Sequence, residues 1–146
     1  FTRRIHPTLG EGWTDPSGVT WYDVLRDASG QIEAYVQSSE YMRKIGRPLP
    51  DGKLGAIEKC LSLGGELPKR EDFARLRRFL GSTTADTAYD GMGYRPQILP
   101  NLNRWYWSAS VHPDFPNFAF FFGGREGDFN YFGRGFYRAV RCVSRP

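Results

Sequence analysis

Lysine is scarce in this chain: of its twenty basic side chains only Lys44, Lys53, Lys59 and Lys69 are lysines, and the rest are arginines. Histidine is rarer still. His6 and His112 stand far apart with no CxxC or HxxH pattern beside them, so no zinc-type site is legible. No apolar run approaches the roughly 20 residues that a bilayer-spanning helix needs. No Ser-His-Asp order and no paired-carboxylate motif stands out, which leaves enzyme chemistry without a candidate and calls for no cofactor. The chain begins at Phe1 rather than Met, the mark of a cut domain or a mature product.

What is present in excess is aromatic and planar. Phe, Tyr and Trp make up 16% of the residues, with 11 Phe, 8 Tyr and 4 Trp. Guanidinium groups form flat, two-point contacts with carboxylate, sulfate and phosphate, and they stack on rings. A net charge of +4 and a pI near 9.2 fit an anionic partner such as an acidic glycan, a lipid headgroup or a nucleic acid. They also fit a domain whose charge has no special role. With 146 residues and 40% hydrophobic content, residues 1–146 form one domain with one substantial core.

The order of elements predicts an α+β fold. Asp15-Pro-Ser-Gly18, between aromatic and β-branched flanks, predicts a hairpin over 12–23, and Asp27-Ala-Ser-Gly30 predicts a second turn between 22–25 and 32–36. Residues 38–50 are polar and end in Arg47-Pro-Leu-Pro50, the pattern of a surface insertion. Asp51 is a plausible N-cap for a helix whose face is Leu54, Ile57 and Leu61, with Cys60 at its border and Gly64-Gly65 as its stop. A second helix begins near 69–71, with Phe73, Leu76 and Leu80 on one stripe and Arg75, Arg77 and Arg78 on the solvated side. Residues 81–104 lack periodicity and predict a long loop. Strands follow at 105–111, 117–122 and 135–143, with residues 125–134 between the last two as a glycine-rich loop.

Cys60 lies in the first of these helices and Cys142 in the final strand. Position alone leaves two readings open. A bridge would staple helix to strand and enclose most of the chain, whereas two free thiols would pack as small buried hydrophobes.

Taken together, the helix with Cys60, Gly64-Gly-Glu-Leu-Pro68, the helix with Glu71 and Leu76, Tyr106-Trp-Ser-Ala-Ser110 and Arg141-Cys-Val143 resemble the DUF1566 family, which includes the C-terminal domain of a bacterial collagen-like adhesin. Asp15-Pro-Ser-Gly-Val-Thr-Trp21 is similar to that family's opening hairpin. The resemblance covers the chain except residues 24–50, an insertion relative to the family. Lys69 stands where the family usually has a Thr or Ser that would cap the second helix. The resemblance implies a C-type-lectin-like fold, with two helices packed on small antiparallel sheets with long loops. It further implies a Cys60–Cys142 disulfide and an exported protein, secreted or at the cell surface, without membrane insertion. An adhesive head at the tip of a fibre, trimeric on a stalk and binding glycans, is the function it implies. A protein-binding or structural trimerisation head and a degenerate formylglycine-generating-type enzyme are the alternatives. The calcium-lectin tripeptides Glu-Pro-Asn and Gln-Pro-Asp are absent, so calcium-dependent sugar binding is not expected.

The candidate binding segment runs from Asn103 to Arg138, where rings alternate with arginines. Sugars present apolar C–H faces to rings, while hydroxyls and sulfates accept hydrogen bonds from Arg and Asn. Trp105, Trp107, Phe118 and Phe120 are expected in the core. Phe129, Tyr131 and Phe132 form either a lid on the core or an exposed surface, and the resemblance favours binding. The site residues are therefore Arg125, Asp128, Phe129, Asn130, Tyr131, Phe132, Arg134, Tyr137 and Arg138. Glu126, Asp128 and Asn130 alternate as calcium ligands might be imagined to, but their spacing is not that of an EF-hand, and no metal site is assigned. Arg134-Gly-Phe-Tyr-Arg-Ala-Val140 faintly echoes an RNA-binding strand motif, yet no helix and strand follow it, so no nucleic-acid partner is expected.

Overall fold

The computed structural model describes residues 1–81 and 99–146. Among these the chain is a small α+β domain with three helices and two antiparallel sheets. The first sheet has the order β1-β2-β3-β7, from Thr2–His6 (β1), Gly10–Thr14 (β2), Thr20–Tyr22 (β3) and Val143–Ser144 (β7). The second has the order β4-β5-β6, from Trp105–Val111 (β4), Phe118–Gly123 (β5) and Asp128–Gly133 (β6). The helices are Ser39–Lys44 (α1), Ala56–Ser62 (α2) and Arg70–Gly81 (α3). No helix among the described residues is long and apolar enough to cross a membrane.

The predicted hairpin forms between β2 and β3, and a buried carboxylate sets its turn. Asp15 Oδ1 accepts from the Ser17 amide at 2.8 Å and hydroxyl at 2.6 Å, while Oδ2 accepts from Trp21 Nε1 at 3.0 Å. Asp27 repeats the device on the surface, accepting from the Ser29 amide and hydroxyl and from the Gln31 amide. The Ser29 hydroxyl leads the contacts that hold the Asp27 carboxyl below its ordinary range.

The helices depart from expectation in instructive ways. Residues 38–50 contain α1, whose N-cap Ser38 accepts from the Tyr41 amide at 3.2 Å. α2 starts after Gly55 rather than at Asp51. A Cβ at Gly55 would lie 2.4 Å from the Ser39 backbone nitrogen, so only glycine lets α1 and α2 approach this closely. Glu58 of α2 then accepts from the Ser38 hydroxyl at 2.9 Å and the Ser39 amide at 2.8 Å. The buried face of α2 is Ala56 and Cys60; Leu54 and Leu61, expected inside, are exposed. α3 buries the expected Phe73, Leu76 and Leu80, and also Asp72. Without a capping side chain at Lys69, Asp72 reaches back to accept the Lys69 amide at 2.8 Å.

Two further corrections concern the last third of the chain. The glycine-rich stretch expected as a loop contains β6, because its glycines stand outside the strand or at its end and leave Asp128–Phe132 uninterrupted. The strand expected over 135–143 is mostly irregular. Only Val143–Ser144 joins a sheet, with isolated bridges Tyr35↔Arg138 and Tyr106↔Ala139 before it. The long loop expected over 81–104 falls mainly on residues 82–98, outside those described; from its end, Leu99 and Leu102 are fully buried.

The β4-β5-β6 sheet is covered on both faces. On one, Tyr106 and Phe122 meet α3, with Phe122 stacked on Phe73 at 4.9 Å and Trp21 beyond it. On the other, Trp107, Ala119 and Phe121 pack with Ala56, Tyr35 and Val140 around the Cys60–Cys142 disulfide. Both sulfur-bearing residues are fully buried, and a disulfide without a membrane-spanning helix is compatible with an extracytoplasmic protein.

Candidate functional site: an arginine-lined cleft

Trp105 opens β4 opposite Gly123, and the residue is 54% exposed. Around it lies an open cleft of about 500 Å³. Four separate stretches build its walls: Ile32 and Ala34, Asn103 to Trp105, the turn residues Arg125 and Glu126, and Tyr137 to Ala139. Antiparallel pairing brings them together. β4 and β5 align Trp105 with the turn at 123–126, and the Tyr35–Arg138 bridge lays the final segment beside residues 32–34.

The cleft is basic and aromatic. Arg138 sits over the Phe121 ring at 4.6 Å, Trp105 at 4.9 Å and Phe132 at 5.2 Å. Its Nε is buried and has no hydrogen-bond partner among the described residues. Burial lowers the guanidinium's affinity for its proton, and three ring faces stabilise the charge instead. Arg125 faces Glu126 at 3.7 Å with both side chains largely exposed, a pairing worth little in water. Arg104 has no carboxylate partner among the described residues. Tyr137 is 61% exposed at the rim. Three cations against one carboxylate, with two accessible rings, can hold an anionic group and stack a ring or apolar face together.

Of the site residues expected from sequence, Arg125, Tyr137 and Arg138 line this cleft. Phe132 supports it from below, under Arg138 and 4.6 Å from Phe136. The others lie elsewhere. Arg134 donates from Nε to Gln37 Oε1 at 2.8 Å and from Nη1 to the Pro116 carbonyl at 3.2 Å, over the Tyr41 ring. Phe129 is half-buried against Phe122, with the Arg70 guanidinium over it. Tyr131, on the same face, joins His112, Phe115, Phe118 and Phe120. Asn130 accepts the Tyr131 amide, and Asp128 is exposed beside Gly123. Of the four rings expected in the core, Trp107 is fully buried and Phe120 half-buried, while Trp105 and Phe118 are exposed.

Ile32, Ala34, Asn103, Arg104, Trp105, Glu126 and Ala139 are the cleft residues that sequence reasoning did not place in the site. Trp105 beside Arg104 carried a signal in its alternation with arginine; residues 32–34 carried none. Arg75 is drawn back to Asp72 at 2.6 Å rather than left on a solvated face. Among the described residues no group of three His, Cys, Asp or Glu side chains is arranged to hold a metal ion. No family model matches the chain, and no curated protein matches it.

Proposed function

We propose that this domain is an extracytoplasmic binding head of the adhesin type, the tip of a bacterial surface fibre that captures a glycan or other anionic surface component. The cleft at Arg104, Arg125 and Arg138 is the observation that carries the reading. An excess of guanidinium groups over carboxylates, beside exposed Trp105 and Tyr137, matches the two chemistries of an acidic sugar, anionic substituents and apolar ring faces. The buried staple between α2 and the residue before β7 supports the expected export. Together with two small antiparallel sheets, it also supports the C-type-lectin-like reading that the resemblance to DUF1566 domains suggests. Trimerisation on a stalk is part of the same proposal and rests on that resemblance.

A glycan array carrying sulfated, uronic-acid, sialylated and neutral sugars tests it. Binding to the acidic members, weakened in high salt and in an Arg104→Ala/Arg125→Ala variant, is the expected result. Binding only to neutral sugars would overturn the anionic reading of the cleft, and binding to no sugar while the domain captures a protein partner would move the assignment to the protein-binding alternative.

A further inference from the structure

A second, apolar cleft of about 320 Å³ lies next to the basic one. The two share Ala34 and the exposed Tyr137 as wall residues. The second cleft is lined by Ala34, Leu49, Pro50 and Leu54, and by Val36, which is itself buried. Its charged residues, Glu33 and Lys53, are of opposite sign and give it no net preference. Tyr35 is buried there, and burial, with Glu33 beside it, pushes its phenol up so that it stays neutral.

The amides of Glu33 and Tyr35 already donate to Leu25 and Arg138, and the Val36 carbonyl already accepts from Ala56. The accessible side chains on this wall, Ala34, Leu49, Pro50, Leu54 and the Tyr137 ring, are apolar or aromatic, which suits a hydrocarbon chain. Much of this wall comes from the segment between the second turn and α2, including the residues that read as an insertion in the sequence.

We propose that the two clefts together bind a single-chain anionic lipid, its charged head over Arg104 and Arg125 and its alkyl chain along Leu49, Pro50 and Leu54. This rests on the reading of the basic cleft as the ligand site and narrows it to an amphiphile. Charge complementarity fixes the orientation: the head belongs at the basic end, and the chain at the end without net charge.

Alkyl sulfates from methyl to decyl, each kept below its micelle concentration and titrated calorimetrically, test the idea. Affinity is expected to rise with chain length, by up to about fourfold per methylene, until the chain outruns the cleft. Leu54→Ser and Ala34→Glu, both at exposed positions, should abolish that rise and leave methyl sulfate binding unchanged in the first variant. Arg104→Ala/Arg125→Ala should weaken every member by the same factor, and an alkyl glucoside of equal chain length should bind more weakly than the sulfate. A flat chain-length series with sulfated-glycan binding intact overturns the lipid assignment and leaves the basic cleft standing. A rise that survives both Leu54→Ser and Ala34→Glu overturns it as well, since the chain then lies elsewhere. Binding indifferent to both arginines overturns the reading of the basic cleft itself. Preference for an acidic peptide with an aliphatic side chain over decyl sulfate, lost in the same variants, replaces the lipid with a peptide.

Discussion

Arg145 grips Asp72 at two points, Nη1 to Oδ1 at 3.0 Å and Nη2 to Oδ2 at 2.7 Å, and so ties the end of β7 to the first turn of α3. The same carboxylate accepts from the Lys69 amide and from Arg75. Burial opposes its ionisation, but the hydrogen bonds from Arg145, Lys69 and Arg75 outweigh burial and hold its pKa at about 2.

A folded pKa below the ordinary aspartate value means that the folded state binds fewer protons than the unfolded chain. The pair's contribution is therefore complete above about pH 4 and is lost as pH falls toward 2, with a size of about 2 kcal/mol. Asp72→Asn should lower stability by that order at pH 7 and flatten the acid limb between pH 4 and 2. Urea unfolding of both proteins at a series of pH values measures it. Equal losses for the two proteins over that range would show that Asp72 does not drive acid unfolding.

The Cys60–Cys142 bridge spans 82 positions with a Cα–Cα distance of 5.5 Å. Closing a loop of that length is worth about 4 kcal/mol in the chain-entropy model. Reduced protein, or a Cys60→Ser/Cys142→Ser variant, should unfold at correspondingly lower denaturant. Alkylation in denaturant without reductant should label neither cysteine, and mass spectrometry reads the outcome directly.

Local chemistry made some of this architecture legible in the sequence. Asp-Pro-Ser-Gly and Asp-Ala-Ser-Gly each carry the acceptor and the glycine that their turns use, and Phe73, Leu76 and Leu80 recur at helical spacing. β6 is hidden in the sequence because the glycines around it raise the local glycine density without interrupting Asp128–Phe132. α1 was hidden because its stability comes from Ser38 and from Glu58 on another helix. Trp105 and Trp107 share one face by alternation, yet Trp107 is fully buried while Trp105, with Arg138 over its ring, stays exposed. The cleft depends on the Tyr35–Arg138 bridge, and nothing near residue 34 announces a partner at residue 138.

Arg141 is fully buried. It donates from Nε to the Tyr22 carbonyl at 2.7 Å and from Nη1 to the Pro100 carbonyl, with Asp23 at 4.0 Å from Nη2. Arg141→Met would leave both carbonyls and Asp23 without their cation, so a loss of about 3 kcal/mol is expected. Lysine cannot make the fork and should recover only part of it. Arg134→Ala, which removes the Gln37 and Pro116 contacts, should cost about 1 kcal/mol. Guanidinium-chloride midpoints of the three variants test the ranking.

Binding and stability should separate cleanly between Arg134 and the cleft residues. Arg104, Arg125 and Trp105 are exposed, so their alanine variants should fold as the parent does. Exposed ionic contacts to a sulfate or carboxylate are screened at physiological salt and worth at most about 1 kcal/mol each. A single arginine substitution should therefore weaken binding of a sulfated glycan only a few-fold, and Arg104→Ala/Arg125→Ala further, with a flatter dependence on salt. Trp105→Ala removes a stacking face and one of the three rings under Arg138; it should weaken binding by about tenfold or less while the salt slope is kept, because the two exposed cations remain. Arg134→Ala should leave both affinity and salt slope unchanged at temperatures where it is folded. Titrations of these variants and the parent at two or three salt concentrations decide the matter. Unchanged binding in the double variant, alongside a loss in Arg134→Ala, would shift the site to the groove by Tyr41, Met42 and Phe136 that Arg134 lines.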